Sequence, residues 1–345
     1  MGKTSIEWTD RVWNPVRGCS RVSEGCRNCY AERIAARFSD ESVMIDAAPS
    51  GPQQFHGFAI RTPSGPRWTG KVELIKSKLT EPFHWKKPQR VFVNSMSDLF
   101  HEALPDESID RVFAVMALCP HITFQILTKR PRRMLEWFKG DGRARWEDHV
   151  YNRAYLMSTK YSAAVPSTWP LLNVWLGVSV EDQATADERI PLLLQTPAAI
   201  RFVSYEPALG PVDFDRRQEQ PYWFSSFNPA YGQAGIDWII AGGESGPDAR
   251  PPHPDWFRNT RDQCQDAGVP FFFKQHGDWR EPKEGESYNT RHGRAGKPPA
   301  FIVQHSGTVD CFHQPNDDRP TTMIRVGKKK AGALLDGREW KQFPK

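Results

Sequence analysis

Six short apolar runs recur along the chain, and each run ends in a cluster of polar residues. The runs are rich in β-branched and aromatic residues, and continuous apolar runs of this length are typical of parallel strands buried on both faces. Helical patterns lie between the runs, which predicts a parallel α/β fold, either an open sheet or a barrel. The predicted strands cover residues 90–98, 122–130, 173–181, 200–207, 237–245 and 270–277.

Three stretches between the predicted strands have the periodicity of amphipathic helices. In residues 105–120, an apolar stripe at i, i+3, i+4 and i+7 predicts a helix with one buried face. Residues 181–196 show a similar spacing, but Pro191 is expected to kink or shorten that helix. Residues 253–270 have a proline near the start and a glycine near the end, which is the expected asymmetry of a helix.

Three regions interrupt this alternation. Residues 39–71 are rich in Pro, Gly and Ser, residues 140–169 form a mixed insertion, and residues 280–320 are polar with few apolar positions. We expect these segments to be loops or small insertions that decorate one domain. The sequence therefore predicts a main domain over residues 1–280 and a C-terminal extension over residues 281–345 that packs on it.

Composition and charge restrict the cellular compartment and the kinds of partner that we expect, but they do not define the function. The 345 residues carry a formal net charge of +5, which is compatible with a nucleic-acid partner but does not require one. No stretch approaches the roughly 18 consecutive apolar residues of a membrane helix, and the first ten residues lack the apolar core of a signal peptide. We therefore expect a cytoplasmic protein without a membrane partner, in a compartment where clustered cysteines favour metal binding or catalysis over disulfides.

Half of the six cysteines lie in one short stretch near the N-terminus, directly before a helical pattern. Cys26 and Cys29 form a C-x2-C pair, and six residues separate Cys19 from Cys26. A closed zinc site requires a fourth ligand, and neither a second C-x2-C pair nor a histidine at ligand spacing is present. Three thiolates also suit a 4Fe–4S cluster with one open iron, so the motif alone favours zinc and the cluster equally. The remaining cysteines are expected not to bind the metal: Cys119, Cys264 and Cys311.

Each predicted strand delivers polar side chains at its C-terminal end, where ligands bind in parallel α/β folds. We therefore expect one shared site, the alternative being that the strands simply run out into polar loops. No Ser-His-Asp order, phosphate-cradling glycine loop or H-E-x-x-H helix is present, so hydrolase and kinase functions lack support. The candidate cofactor-binding residues are Asn94, Ser97, Glu181, Ser204, Glu206, Gly242, Gly243 and Glu244.

Glu206 and Lys129 are the candidate catalytic residues. Glu206 precedes a proline, which argues against ordinary helix capping and leaves its carboxylate to hold hydroxyl groups or to accept a proton. Lys129 and the adjacent Arg130 suit a carboxylate or a phosphate, although a solvated basic loop explains them equally well.

The whole chain resembles a family of phage proteins, the gene-product thirty-seven/sixty-eight family, through eight motifs in the same order. That family resembles a divergent branch of the radical S-adenosylmethionine enzymes, and its shared cysteines match Cys19, Cys26 and Cys29. The motifs are "IEWTDRVWNPVRGCSRVSEGCRNCYAER", "VFVNSMSDLFHE", "FQILTKRP", "WLGVSVEDQATADERIPLL", "RFVSYEPALGPV", "IIAGGESGPDARP", "VPFFFKQHG" and "RVGKKKAGALLDGREW".

The resemblance implies a radical-SAM-like partial parallel β/α barrel of about six strands with loop insertions near residues 39–71 and 140–169. It also implies a 4Fe–4S cluster and S-adenosylmethionine as cofactors, and an activity that generates a 5′-deoxyadenosyl radical by using an electron donor. The cysteine spacing departs from the C-x3-C-x2-C pattern common among those enzymes, and Asn28 stands where an aromatic residue usually precedes the last cysteine.

The substrate is the least defined expectation. Since phages modify their DNA to evade host nucleases, we expect a nucleic-acid base or nucleotide, and a host-cytoplasmic location if a phage encodes the protein. Lys129, Arg130 and the lysines at 328–330 could hold phosphates, although solvated surface explains them too. The alternative from another class is a zinc- or cluster-stabilised phage protein that binds nucleic acid without catalysis.

Overall fold

Parallel strands form the framework of the computed structural model, together with shorter antiparallel ribbons. The structure describes residues 4–39, 54–139, 149–161, 168–215, 235–288, 299–307, 309–310 and 320–344. In chain order the strands are β1 (Arg11–Trp13), β2 (Val16–Arg17), β3 (Ala59–Thr62), β4 (Gly65–Trp68), β5 (Glu73–Leu74), β6 (Gln89–Val93), β7 (Ile122–Thr128), β8 (Val174–Val180), β9 (Ile200–Tyr205), β10 (Trp238–Gly242), β11 (Phe271–Gln275), β12 (Trp279–Arg280), β13 (Ala300–Val303), β14 (Val309–Asp310) and β15 (Thr321–Arg325).

Helices alternate with the longer parallel strands. In the described ranges they are α1 (Tyr30–Arg37), α2 (Lys76–Leu79), α3 (Asp106–Ala117), α4 (Pro131–Lys139), α5 (Asn152–Tyr161), α6 (Gln183–Gln195), α7 (Pro254–Ala267) and α8 (Lys328–Ala331).

The chain divides into two compact units. The first consists of Met1–Val178 and Gln195–Ile200, and the second of Ser179–Leu194 and Arg201–Lys345. These units do not coincide with the boundary expected after residue 280, and that division stays a prediction.

In the first unit, parallel pairing joins β1 to β6, β6 to β7 and β7 to β8. Trp13 lies opposite Val93, and Phe124 lies opposite both Val91 and Val174. Val91, Val93 and Phe124 are fully buried, as expected for apolar strands at the centre of such a sheet.

In the second unit, β9, β10 and β11 are parallel, with β10 in the middle. Every residue of β10 is buried, which the apolar sequence WIIAG explains. All six predicted strands are therefore present, and the mixed α/β class with parallel strands is confirmed. The additional parallel strand β1 was not among them, because three residues are too few for a periodicity.

The predicted amphipathic helices are present as α3, α6 and α7. Helix α6 continues through Pro191 to Gln195, so the proline does not shorten it, and the alternative expectation of a kink stays a prediction. Helix α7 begins with Pro254 after His253, whose side chain accepts from the N–H of Asp255. It ends at Gly268, whose φ of +68° is the left-handed conformation favoured by glycine.

Helix α1 is short and packs through small residues. Its alanines at 31, 35 and 36 lie in a buried cluster with Phe55, Phe58 and Met96. Cys29 and Trp68 pack at the edge of this cluster, which ties the end of the cysteine-rich stretch to the β3–β4 hairpin.

A small antiparallel sheet in the second unit has the order β12, β15, β13, β14. Strand β15 is followed after two residues by α8. Among the described helices, none combines the length and the apolar character needed to cross a membrane.

Candidate functional site

The cysteine loop, residues 19–29, lies between β2 and α1 in the first unit. Its start is fixed by Gly18, which forms an isolated parallel bridge with Ser97 and has a φ of +88°. A Cβ atom on Gly18 would lie 1.8 Å from the carbonyl oxygen of Lys71, which is far inside van der Waals contact. Only glycine fits here, both because of this contact and because other residues rarely adopt such a φ.

Cys26 and Cys29 are held by consecutive turns of the main chain. Cys26 ends a 3-10 turn over Glu24–Cys26, and its N–H donates to the carbonyl oxygen of Ser23 over 2.9 Å. The N–H of Cys29 donates to the carbonyl oxygen of Cys26 over 3.3 Å, and Cys29 directly precedes α1. The C-x2-C pair therefore forms a compact turn at the start of a helix.

The three thiols of the cysteine loop are partly buried and influence one another's charge. Burial is the main cause that raises the pKa of Cys19 to about 12, while the carboxylate of Asp98 adds to this rise and the guanidinium of Arg130 opposes it. Burial also raises the pKa of Cys29, against the effect of the main-chain amides at the start of α1. Cys19 and Cys29 are therefore protonated at neutral pH, and a bound metal would have to displace those protons.

The donor set of the cysteine loop fits a metal or a cluster. Three thiols lie on eleven consecutive residues and interact electrostatically, and thiolate is the ligand that structural zinc and iron–sulfur clusters use. Within the described ranges, no three His, Cys, Asp or Glu side chains already surround a point where an ion could sit. A single ion would therefore require the thiols to move closer together, whereas a 4Fe–4S cluster binds each thiolate on a different iron.

The other cysteines have no part in this loop where the structure describes them. Cys119 follows α3 and Cys264 lies within α7, and both are fully buried. Burial raises the pKa of Cys119 to about 12 and that of Cys264 well above its usual range. Their environment suits small apolar residues, whereas Cys311 lies outside the described residues.

Arg130, directly before α4, is buried and joins the cysteine loop to the ends of β6 and β7. Its Nε donates to Glu102 Oε2 over 2.7 Å, and its Nη1 donates to Asp98 Oδ2 over 3.3 Å. Nη1 also donates to Cys19 Sγ over 3.8 Å. Nη2 donates to the carbonyl oxygen and the hydroxyl oxygen of Ser20 over 3.0 and 2.7 Å. Five acceptors therefore match the five N–H groups of this guanidinium.

Asp98 is the buried carboxylate beside this guanidinium. Its Oδ1 accepts from the hydroxyl of Thr128 over 2.7 Å and from the N–H of Phe100 over 3.0 Å. Its Oδ2 accepts from the N–H of Lys129 over 3.0 Å as well as from Arg130. Four donors thus fix the carboxylate in place, which makes it a rigid support for the arginine.

His101 extends the network on the other side of Ser20. His101 Nδ1 accepts from the N–H of Ala103 over 3.1 Å, so this nitrogen carries no proton. Nε2 is then the donor to Ser20 Oγ, which lies 2.8 Å away. Burial, assisted by the charge of Arg130, lowers the pKa of His101 and keeps the ring neutral at pH 7. His101 therefore supports the loop as a neutral hydrogen-bond donor.

A second ion pair anchors the middle of the cysteine loop to α1. Arg21 Nε donates to both carboxylate oxygens of Glu32 over 3.2 and 3.0 Å, and Glu32 Oε1 accepts from the N–H of Trp68 over 2.8 Å. Glu32 is only 1% exposed. No sequence pattern indicates this anchor, because a glutamate in the first turn of a helix is normally solvated.

Three of the predicted site residues lie beside the cysteine loop. Asn94 Oδ1 accepts from the N–H of Val16 over 3.3 Å, and Ser97 Oγ donates to the carbonyl oxygen of Val16 over 2.9 Å. Asn94 has a φ of +63°, and in the described part of the chain its buried Nδ2 has no hydrogen-bond partner. Lys129 is half-buried, and its main-chain N–H donates to Asp98 Oδ2 over 3.0 Å.

The second unit brings Glu206, Lys274 and Gln275 together at the ends of β9 and β11. Lys274 Nζ donates to the two oxygens of Glu206 over 2.7 and 3.0 Å, with 16% and 20% of the two side chains exposed. Gln275 Nε2 donates to the carbonyl oxygen of Gly243 over 3.1 Å and lies 3.4 Å from Glu206 Oε1. These two acceptors fix the amide, and its buried Oε1 has no partner among the described residues.

Two other predicted carboxylates of the second unit are engaged in ion pairs. Arg189 Nη1 donates to both oxygens of Glu181 over 3.2 and 3.1 Å, and both side chains are almost fully buried. Arg250 donates to Glu244 through Nε over 2.9 Å and Nη2 over 2.8 Å. Ser204 is buried on β9. Glu181 and Glu244 therefore have structural partners already.

The two predicted glycines have a reason within the fold to be glycine. A Cβ atom on Gly243 would lie 2.1 Å from the carbonyl oxygen of His276, and one on Gly242 would lie 3.3 Å from Glu206 Oε1. The main chain of β10 thus passes close to its neighbours at this end. A bound ligand is not needed to explain either residue, and their assignment to a cofactor stays a prediction.

The fold and the cysteine loop together define a parallel α/β protein with a thiol-rich candidate metal centre in its first unit. The sequence model of a family described as "Protein of unknown function (DUF5131)" matches residues 3–344. The chain therefore belongs to the DUF5131 family. No curated protein and no solved structure matches the chain.

Proposed function

We propose that this protein is a radical S-adenosylmethionine enzyme that holds a 4Fe–4S cluster through Cys19, Cys26 and Cys29. One observation carries the proposal: three thiols lie on one loop of eleven residues between β2 and α1, and the C-x2-C pair forms a compact turn at the start of the helix. Three ligands suit a cluster with an open iron better than a closed zinc site, which takes four. When bound, such a cluster supplies the electron that cleaves S-adenosylmethionine reductively.

The proposal also includes a more specific fold than the mixed α/β class. We infer a partial parallel β/α barrel of the radical-SAM type, in line with the resemblance to the phage gene-product thirty-seven/sixty-eight family. The parallel strands and the helices between them, in each unit taken separately, support it.

The chain's own residues would have three tasks. Cys19, Cys26 and Cys29 would hold the cluster, and their pKa values imply that loading releases protons. Asn94 would use its unpartnered Nδ2 to donate to a bound group. Glu206 stays the preferred carboxylate for S-adenosylmethionine or for proton transfer, because it is partly exposed whereas Glu181 is buried in an ion pair.

The substrate proposal is a nucleic-acid base or nucleotide. Lys129 is the proposed catalytic or substrate-holding cation of the first unit, and the lysines at 328–330 are exposed. Exposed lysines of this kind suit phosphate contacts, and a base in a duplex would have to be flipped out of the stack for chemistry. An electron donor in the cytoplasm would complete the system.

Metal analysis is the decisive experiment for the cofactor. The protein is purified and reconstituted without oxygen, and iron, sulfide and zinc are measured for the wild type and for single Cys→Ala variants. We expect a brown protein with about four irons per chain, with iron lost in Cys19→Ala, Cys26→Ala and Cys29→Ala and kept in Cys119→Ala. A colourless protein that holds zinc would instead support the non-catalytic nucleic-acid-binding alternative.

Cofactor cleavage tests the reaction class. After reduction with dithionite, the reconstituted protein is incubated with S-adenosylmethionine alone, and 5′-deoxyadenosine is measured by chromatography. We expect slow formation of 5′-deoxyadenosine and none in Cys26→Ala. A loaded cluster with neither binding nor cleavage of S-adenosylmethionine would refute the radical assignment.

A further inference from the structure

Arg130 lies outside the cysteine loop, directly before α4, and makes three hydrogen bonds to it. Its Nη2 donates twice to Ser20, and its Nη1 donates to the sulfur of Cys19 over 3.8 Å. Asp98 and Glu102 hold the remaining N–H groups. We propose that Arg130 is a positioning residue that fixes the first cluster ligand and stabilises negative charge on it, an inference that rests on the proposed cluster.

The first argument is that the guanidinium is already saturated. All five N–H groups of Arg130 have an acceptor, and the residue is 5% exposed. A free phosphate or carboxylate would have to displace buried hydrogen bonds, which is costly. The arrangement therefore favours an internal role for Arg130 over the capture of an anionic substrate.

The second argument is that the support behind Arg130 is rigid. Asp98 is fixed by Thr128, Phe100 and Lys129 in addition to the arginine. Bonds to the main-chain oxygen and the hydroxyl of Ser20 restrain the peptide next to Cys19. A planar guanidinium can make this set of directed bonds simultaneously, whereas a lysine ammonium cannot.

The third argument concerns charge. A hydrogen bond to a ligand sulfur favours the more negative, reduced state of an iron–sulfur cluster and so raises its reduction potential. The donor on Cys19 and the positive charge of Arg130 act in the same direction. Loss of this side chain should therefore make the cluster harder to reduce.

The experiment compares Arg130→Gln, Arg130→Lys and the matched control Arg133→Gln. Arg133 lies in α4 of the same unit and pairs with Asp106, which is not a residue of the cysteine loop. Each protein is checked for folding by circular dichroism, reconstituted without oxygen, and analysed for iron and sulfide. The midpoint potential of the cluster is then measured by redox titration followed by electron paramagnetic resonance.

We expect Arg130→Gln to bind at most half the wild-type iron and to have a more negative midpoint potential. Arg130→Lys should keep the charge but lose the bonds to Ser20, so its loading should fall while its potential stays closer to wild type. Arg133→Gln should match the wild type in both quantities. Because net charge and solvent exposure also affect the potential of a cluster, Arg133→Gln, which loses the same charge in the same unit, is the control for such general effects.

Full loading and an unchanged potential in Arg130→Gln would overturn the inference while leaving the cluster itself intact. Absence of a cluster in the wild type would instead overturn the proposed function, so the two failures are distinguishable. If Arg130→Gln does not fold, Arg130→Lys decides alone, and loading equal to that of Arg133→Gln would refute the positioning role.

Discussion

The cysteine loop and the strand-end carboxylates of the second unit differ in what their charged groups hold. At the cysteine loop, Arg130 donates hydrogen bonds to Cys19 and Ser20. Arg21, within the loop, pairs with Glu32 and so joins the loop to α1. In the second unit, Glu181 forms an ion pair with Arg189, and Glu244 forms one with Arg250. Polar residues after a parallel strand therefore do not by themselves mark a ligand site, because the same signature also arises from internal ion pairs.

The largest expected effect tests the close main-chain approaches in both regions. Gly18→Ala and Gly243→Ala should each lower the free energy of unfolding by more than about 4 kcal/mol, because the new Cβ meets a carbonyl oxygen. Urea unfolding followed by circular dichroism measures this change. Gly57→Ala and Gly268→Ala are the controls, since they have a positive φ but no heavy atom near the added Cβ, and about 1–2 kcal/mol is expected.

If Gly18→Ala behaves like Gly57→Ala, the close approach to Lys71 is absent in solution. Metal analysis then tests whether Gly18, at the start of the cysteine loop, affects iron binding. A folded fraction of Gly18→Ala should bind less iron, because this glycine fixes the entry to the cysteine loop.

The next effect concerns the buried ion pair of the second unit. Glu181→Gln should cost about 3–5 kcal/mol of stability, because it removes the buried counter-charge of Arg189 and leaves only the exposed Glu188, 3.9 Å from Arg189 Nε. Iron loading per folded chain should not change. The double variant Glu181→Leu with Arg189→Leu should lose less stability than Glu181→Gln, and a double variant that is worse would show that the carboxylate has another partner.

A smaller stability effect, with a functional consequence, is expected at Glu206. Since Glu206 and Lys274 are partly exposed, Glu206→Gln should cost at most about 1 kcal/mol in unfolding free energy. Affinity of the loaded protein for S-adenosylmethionine should fall at least about tenfold, measured by calorimetric titration. Unchanged affinity would place Glu206 with Glu181 among the structural carboxylates.

The smallest effect on the fold is expected at the exposed lysines 328–330. Changing all three to alanine should alter the unfolding free energy by less than about 0.5 kcal/mol. If these residues hold phosphates, the salt dependence of nucleic-acid binding should become shallower, by about one counterion for each lysine–phosphate pair removed. An identical salt slope would show that they are ordinary solvated surface.

Sequence reasoning located the framework better than the side-chain network. The six longer strands were predictable, because apolar runs such as WIIAG at 238–242 can only be buried. Strand β1 was not predicted because it is short, and Pro191, expected to kink or shorten its helix, does not shorten it. Tertiary packing decides both cases.

The cysteines of the candidate site were predictable as a cluster, and the residues that hold the loop in place were not. The spacing of Cys19, Cys26 and Cys29 identified the loop. The hydrogen bonds that Arg130 and Glu32 make to it join segments far apart in the sequence, so no local pattern predicts them. Glu181, Glu206 and Glu244 all lie at the end of a predicted strand, and the proline after Glu206 singled it out. The arginine partners of Glu181 and Glu244 were not predictable from the sequence.

Because Arg21 and Arg130 anchor the cysteine loop, the entropy cost of ordering its main chain falls on folding and not on metal binding. Ordering a residue costs about 1–2 kcal/mol in conformational entropy, so an unanchored loop of eleven residues would take most of a metal's binding energy merely to become ordered. Here Arg21, Arg130 and Gly18 restrain the main chain when the unit folds. The cysteine loop is thus preorganised, so the proposed loading should need only side-chain rotations and should leave the fold of the first unit largely unchanged.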